Sequence, residues 1–468
     1  MANALIEAAL KDADETRTIV FGREALGQTG EVFADLFPGR KALVVADENT
    51  YRAAGPQVEE SLSEAGVQMR PHHIFPGEPT LYADYGNVEV LRELIRPMED
   101  TIVRSIASGT LNDLAKLASG ELGRPYLNVC TAASVDGYAA FGASIARDGF
   151  KITRECPAPA GLVADLDVIA AAPRRLTATG YGDLIEKIPA GADWILADEI
   201  GVEAIDHHVW SLVQGPLRDA LADPEAIGRG EVDAIEGLAQ GNIMSGLAMQ
   251  AMKSSRPASG AGHQFSHVWE MEGHGLDWEP PLSHGFKVGV GTVASCAMWL
   301  LALTMDFSHL DIDAILAAAP TDEEVEAKVR AALAPRIAEE AVRHSLSKNL
   351  RGERLRERLE RIQEAWPRVR DRAAAQLLAP EDVAARLKAV GAPYHPEMIG
   401  IDWERFRRTH FQAEMIRPRY TIFDLFANTG VLSEVVDQLF SDEGFWGQHR
   451  HPDSFDTGQD IPQDIRQD

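Results

Sequence analysis

The stretch KALVVADENTYRAAGPQVEESLSEAG, residues 41–66, narrows the folds open to this chain more than any other. Its apolar run from Lys41 to Ala46 is short and unbroken, the pattern of a strand buried on both faces, and an amphipathic helix ending at Gly66 follows a polar turn. The unit returns further on. LRELIRPMEDTIVRSIASGTLNDLAKLAS reads as a helix, an apolar strand from Thr101 to Ile106, a turn of small residues and another helix, and RPYLNVCTAASVDGY adds a strand with a polar exit. Strands alternating with helices need crossover connections, so a parallel α/β sheet is predicted, with ligands beyond the carboxyl ends of its strands.

After Pro173 the strand pattern stops and helical periodicity takes over, as in VDAIEGLAQGNIMSGLAMQAM and TDEEVEAKVRAALAPRIAEEAVRHSL. A chain of 468 residues exceeds what one small core serves, so two domains are expected: an α/β domain over residues 1–165 and an all-helical C-terminal domain over 166–448. Residues 449–468 have little to bury and are expected to form a disordered tail. With 45 Lys and Arg against 72 Asp and Glu, the formal charge of -27 repels nucleic acid and anionic membrane. The arginines of RGERLRERLERIQEAWPRVRDR alternate with glutamates at helical spacing, as on a solvated face. Three widely separated cysteines, Cys130, Cys156 and Cys296, suit a reducing compartment, and the acidic N-terminus lacks a secretory pattern. The expected home is the cytoplasm. No apolar run is read as approaching the roughly 20 residues of a membrane span.

Four candidate sites stand out. ASGTLNDLAK lies between a strand and a helix, where Gly109 lets backbone N–H groups approach a pyrophosphate and Thr110 and Asn112 add side-chain bonds; a Ser-Gly-Thr turn also serves as a plain helix cap. TAASVDGYAAFGAS sets Thr131, Ser134 and Asp136 on a second strand exit, suited to a cofactor ribose and a polyol hydroxyl, or to capping a turn. GYGDLIEK is read with Asp183 just inside a helix start. In SGAGHQFSHVWEMEGHGLDWEPPLSHGFKVG, His263 and His267 share a helix face at i and i+4 and His284 returns from a loop; with Asp183 they form an oxygen and nitrogen donor set for Zn, Ni or Fe that leaves positions open for substrate.

ASGTLNDLAK, TAASVDGY, GYGDLIEK, GHQFSHVWE and SHGFKVGVGT, in that order, resemble the sn-glycerol-1-phosphate dehydrogenase family, bacterial branch, of the iron-containing alcohol dehydrogenase and dehydroquinate synthase-like superfamily, over roughly Gly22 to Leu439. The resemblance implies an NAD(P)-binding α/β domain, a helical metal- and substrate-binding domain, and an active site in the cleft between them. It further implies reduction of dihydroxyacetone phosphate with NAD(H) or NADP(H), one divalent metal, and a homodimer. By the same resemblance Gly109, Thr110, Asn112, Asp113, Thr131, Ala132, Ala133 and Ser134 contact the dinucleotide, with Asp47 near the adenine ribose. Asp183, His263 and His284 are then the metal ligands and catalytic centre, while Asp136, Asp183 and His267 meet the substrate. Ala107 and Ala140 stand where relatives often carry glycine and serine. Lys187, Arg256 and helix-end amides all remain open as the seat of the phosphate. Two other readings keep the fold: a sugar-phosphate cyclase that uses NAD and metal without net NADH change, and a non-catalytic nucleotide or sugar-phosphate binding protein.

Overall fold

The computed structural model describes residues 2–147 and 150–455. Six parallel strands form its sheet: β1 (Thr18–Gly22), β2 (Lys41–Asp47), β3 (His73–Phe75), β4 (Thr101–Ala107), β5 (Tyr126–Cys130) and β8 (Gly161–Asp165), in the order β1-β8-β5-β4-β2-β3. Every residue of β4, β5 and β8 is buried, which fits their mainly apolar sequences, although Arg104, Ser105 and Asn128 are buried with them. The chain leaves β2 for the edge strand β3 and then returns to the other side of β2 at β4. A crevice therefore opens at the carboxyl ends of β2 and β4, as the sequence pattern predicts. A separate antiparallel hairpin, β6 (Ala143–Arg147) with β7 (Phe150–Arg154), follows the polar exit of β5.

The helices that frame the crevice and its supports are α1 (Ala2–Leu10), α2 (Glu48–Glu64), α3 (Gly109–Gly120), α4 (Arg174–Ile185), α5 (Lys187–Glu199), α6 (Val232–Met252), α7 (Ala261–Met271), α8 (His284–Thr304) and α9 (Trp403–Met415). Beyond β8 every described element is a helix, in line with the change of texture after the sheet. The opening helix α1, although first in sequence, packs on α6 of the helical half as well as against β1. The end of the chain also differs from its expected form. Phe455 is buried against Tyr394 and His395, and His395 Nε2 lies 3.1 Å from the His449 carbonyl, so the largely exposed segment 449–455 is tied to the fold at His449 and Phe455; residues 456–468 lie outside the described residues.

One apolar segment is longer than the sequence pattern suggests. Helix α8, at 21 residues, is long and apolar enough to cross a membrane, but it is mostly buried by the surrounding helices and serves as the central rod of the helical half. Cys130, Cys156 and Cys296 are free and buried.

Candidate active site

Glycines bring the site together. A Cβ on Gly285 would overlap the Thr179 carbonyl oxygen, and one on Gly182 would meet the Gly285 carbonyl at 2.5 Å, so α4 and α8 touch backbone to backbone. Thr179 and Ser283 join the same crossing through a hydroxyl–hydroxyl bond. Further along α8, nearly two turns on, a Cβ on Gly291 would overlap the Gly262 carbonyl, which presses α7 onto α8 in the same way. These two crossings set Asp183 of α4, His263 of α7 and His284 of α8 side by side. One ligand-type atom from each lies within 4.8 Å of the others. Asp183 is thus not near a helix start: α4 begins at Arg174, and the carboxylate projects from its last turn. The glycines of GYG look like a helix boundary in the sequence, yet their role is close helix contact.

Each imidazole is oriented by a buried glutamate. His263 Nδ1 lies 2.8 Å from Glu186 Oε2, and His284 Nδ1 lies 2.9 Å from Glu270 Oε1, which leaves the two Nε2 atoms for a metal. Four carboxylates, Asp136, Asp183, Glu186 and Glu270, are met here by two buried ammonium groups. Lys187 Nζ contacts Asp183 Oδ1 and Asp136 Oδ2 at 2.9 Å each, and Lys287 Nζ stands 3.9 Å from Glu270. The negative surplus suits a divalent cation. It also shows in His263: burial lowers its pKa, but Glu186 and Asp183 outweigh burial and raise it to about 9. The donor set, its orientation and its charge all fit a divalent metal ion. Sequence reasoning missed Glu186 and Glu270; the available signal was a carboxylate one helical turn after Asp183 and another one turn after His267.

These residues open onto a cavity of about 930 Å³ that also reaches the strand ends. Gly109, Thr110, Asp113, Thr131, Ser134, Asp136, Asp47 and His267 line it together with the three ligand-type residues. Ser108 makes no side-chain cap on α3, which leaves the first N–H groups of that helix for an anion. Asp47 caps α2 by accepting from Asn49 N and Thr50 N at 2.9 Å each. Asp136 accepts from Ser245 Oγ at 2.9 Å, and its own N–H donates to Asp183 Oδ2 at 3.2 Å. Three expected cofactor contacts are not brought to the cavity. Asn112 is fully buried and accepts from the Tyr126 hydroxyl at 3.0 Å on the sheet side of α3, while Ala132 and Ala133 are buried in the turn behind Ser134. Lys187 and Arg256 are likewise occupied: Arg256 donates to the carbonyls of Tyr420 and Asp193 at 3.0 Å each and pairs with Glu203 at 3.2 Å. His274, the fourth histidine of the cluster, is structural, since its Nε2 meets the Ile399 carbonyl at 2.6 Å.

Gly109→Val is expected to weaken NADH binding about tenfold or more while metal content stays unchanged, because the new side chain would enter the turn where Val135 already stands 3.1 Å from a Cβ position. Fluorescence titration with NADH together with elemental analysis checks this; unchanged affinity in the folded variant would exclude the turn as the pyrophosphate seat.

A parallel sheet with a glycine turn at its carboxyl edge, joined to a helical half with a histidine and carboxylate cluster, is the architecture of the iron-containing alcohol dehydrogenases. Residues 20–173 match the family model of that description. Among solved structures, glycerol dehydrogenase from Schizosaccharomyces pombe shares the fold at a TM-score of 0.57 and 16% identity, over 90% of this chain and 89% of its own. NADH-dependent butanol dehydrogenase A from Thermotoga maritima does so at 0.54 and 16%, over 90% and 96%. A glycerol-1-phosphate dehydrogenase [NAD(P)+] from Halalkalibacterium halodurans is 36% identical over 55% of this chain and 64% of its own length, and one from Bacillus velezensis is 35% identical over 53% and 62%. The chain thus spans less than two thirds of the length of these two relatives. It covers 77% of the Pyrococcus furiosus glycerol-1-phosphate dehydrogenase at 34% identity, over 59% of its own length. The chain belongs to the glycerol-1-phosphate dehydrogenase family.

Proposed function

We propose that this protein is a metal-dependent NAD(P)-linked dehydrogenase that reduces dihydroxyacetone phosphate to glycerol 1-phosphate. The observation that carries the reading is the convergence of Asp183, His263 and His284 in the same cavity as the uncapped N-terminus of α3. Asp183, His263 and His284 would hold the metal. When bound, the metal supplies Lewis acidity toward the ketone oxygen and the nicotinamide supplies the hydride. The chain contributes alignment. Glu186 and Glu270 fix the two imidazole rings, and Lys187 holds Asp183 and Asp136 in register. Asp136 Oδ2 is engaged by Lys187 and Ser245, which leaves Oδ1 to accept a substrate hydroxyl. His267 lines the cavity with neither ring nitrogen engaged by a described residue, suiting it to touch the substrate. The first-turn amides of α3, with Thr131 and Ser134, face the cofactor phosphates and ribose. Cytoplasmic location and a homodimer belong to the same proposal.

The test is NADH consumption by metal-loaded enzyme with dihydroxyacetone phosphate against unphosphorylated dihydroxyacetone. Phosphate release without net NADH change would replace the dehydrogenase by a cyclase; binding without turnover would leave a carrier. The retained metal-ligand set favours an enzyme over a carrier, since binding alone needs no open metal position.

Asp47 lines the same cavity, and on this reading its carboxylate would accept from the adenine ribose 2′-hydroxyl and repel a 2′-phosphate. Asp47→Asn keeps the cap on α2 and removes the charge, and kcat/KM for NADPH relative to NADH is expected to rise about tenfold. Steady-state kinetics with both cofactors decides it; an unchanged ratio would place the ribose elsewhere.

A further inference from the structure

Of the cations around the cavity, Arg417 alone has a guanidinium that makes no hydrogen bond or ion pair among the described residues. Its neighbours in the segment Ile416-Arg417-Pro418-Arg419 are firmly held. The Ile416 carbonyl at the end of α9 is met by His344 Nδ1 at 2.9 Å, and Arg419 donates to the Ser259 carbonyl at 2.7 Å and to Ser255 Oγ at 2.8 Å. The backbone is anchored on both sides of a side chain that is itself left unengaged, an arrangement that pre-sets a donor for a ligand at small entropic cost. Arg175, the other arginine on the cavity wall, donates Nη2 to the Pro281 carbonyl at 2.9 Å and lies over the Phe286 ring.

Arg417 and the expected substrate contact, His267, line the same cavity. Burial, and after it the Arg417 charge, holds the His267 imidazole well below the usual histidine range. Burial likewise pushes the Arg417 guanidinium down, against the opposing pull of Glu340 and Glu270. Neither glutamate neutralises it by contact. Glu270 is turned to His284 and Lys287, and Glu340 stands 3.7 Å from His344 Nε2 and 3.9 Å from Arg343. A planar guanidinium enclosed in a cavity and lacking a carboxylate partner is suited to a phosphate monoester, which takes two parallel N–H bonds.

We propose that Arg417, in the same cavity as His267, is the anchor for the terminal phosphate of the substrate and the residue that selects a phosphorylated ketone over its unphosphorylated counterpart. This deepens the dehydrogenase reading and rests on it for the identity of the ligand, but not for the existence of the anion seat. Lys187 and Arg256, the two side chains the sequence offers for this role, are excluded by their own bonds.

Two readouts separate the seat from the reaction. In the first, binding of inorganic phosphate to the NADH-loaded enzyme is followed by calorimetry for wild type, Arg417→Gln and Arg417→Lys. Affinity is expected to fall about 10- to 100-fold in Arg417→Gln, the range for losing a hydrogen bond between charged groups, and to recover in part in Arg417→Lys. In the second, KM for dihydroxyacetone phosphate rises by a similar factor in Arg417→Gln, while kcat/KM for dihydroxyacetone stays within about twofold of wild type. Phosphate binding that depends on Arg417 in an enzyme that reduces neither ketone would overturn the dehydrogenase reading and keep the seat. Phosphate binding equal in all three proteins, or a parallel loss toward both ketones, would overturn the seat. If Arg417→Gln does not fold, Arg417→Lys carries the same comparison: an ammonium gives one point contact instead of a fork, so phosphate affinity still falls several-fold, and unchanged affinity there overturns the assignment.

Discussion

Replacing Asp183 or His263 by alanine is expected to leave the purified protein without metal and to lower turnover on the order of 10³-fold. Each change removes one of three donors gathered within 4.8 Å, and it also strands charge. Without His263, Glu186 loses its ring partner in a fully buried position; without Asp183, Lys187 loses one of its two carboxylates. His267→Ala is expected to behave differently. It should keep its metal and its NADH affinity while kcat/KM toward the phosphorylated ketone falls by about one to two decades. Elemental analysis next to steady-state kinetics separates the cases, and full metal occupancy in Asp183→Ala or His263→Ala would remove this cluster from consideration.

The second large effect is structural. Gly285→Ala adds one methyl group at the point where α8 rests on the Thr179 carbonyl, and no rotamer change relieves a clash with main chain. The helices must separate. A loss of about 3 kcal/mol or more in folding stability is expected, at or beyond the upper end for overpacking a core, and the metal site should be lost with it. Chemical denaturation of the variant gives the stability, and metal analysis of whatever folded fraction remains gives the occupancy. The control is Gly215→Ala, where a Cβ has nothing within 4 Å and stability should hardly change. Equal stability of the two variants would mean that the crossing tolerates a wider spacing.

Much of this architecture is legible in the chain. The strands β2, β4 and β5 lie inside the sheet and are buried over most of their length, so their mainly apolar runs are legible as strands in the sequence. His263 and His284 stand out because four histidines fall within Ser259 to Gly289 and His263 shares a helix face with His267. What stays hidden depends on geometry that a linear pattern does not hold. On α3 each residue turns about 100°, which carries Asn112 to the sheet side while Asp113, four residues after Gly109, returns to the cavity. The sequence misplaces Asp183 within its helix because Gly180 and Gly182 resemble a boundary; Gly180 in fact lets α4 lie against the Ala133 carbonyl. Glu186, Glu270 and the engagement of Lys187 depend on which helices meet, so composition and periodicity are silent about them.

The backbone crossings of α4, α7 and α8 bear on how the proposed metal would be taken up. Where ligands sit on mobile loops, binding and folding are one event, and removing the ion unravels the site. Here the spacing of Asp183, His263 and His284 is fixed by main-chain atoms in contact, and Lys187 balances part of the carboxylate charge. On the proposed reading the three side chains form a finished socket. Chelation should empty it without melting the helices, different divalent ions should compete for it on nearly equal structural terms, and the choice among them falls to supply in the cell rather than to the shape of the fold.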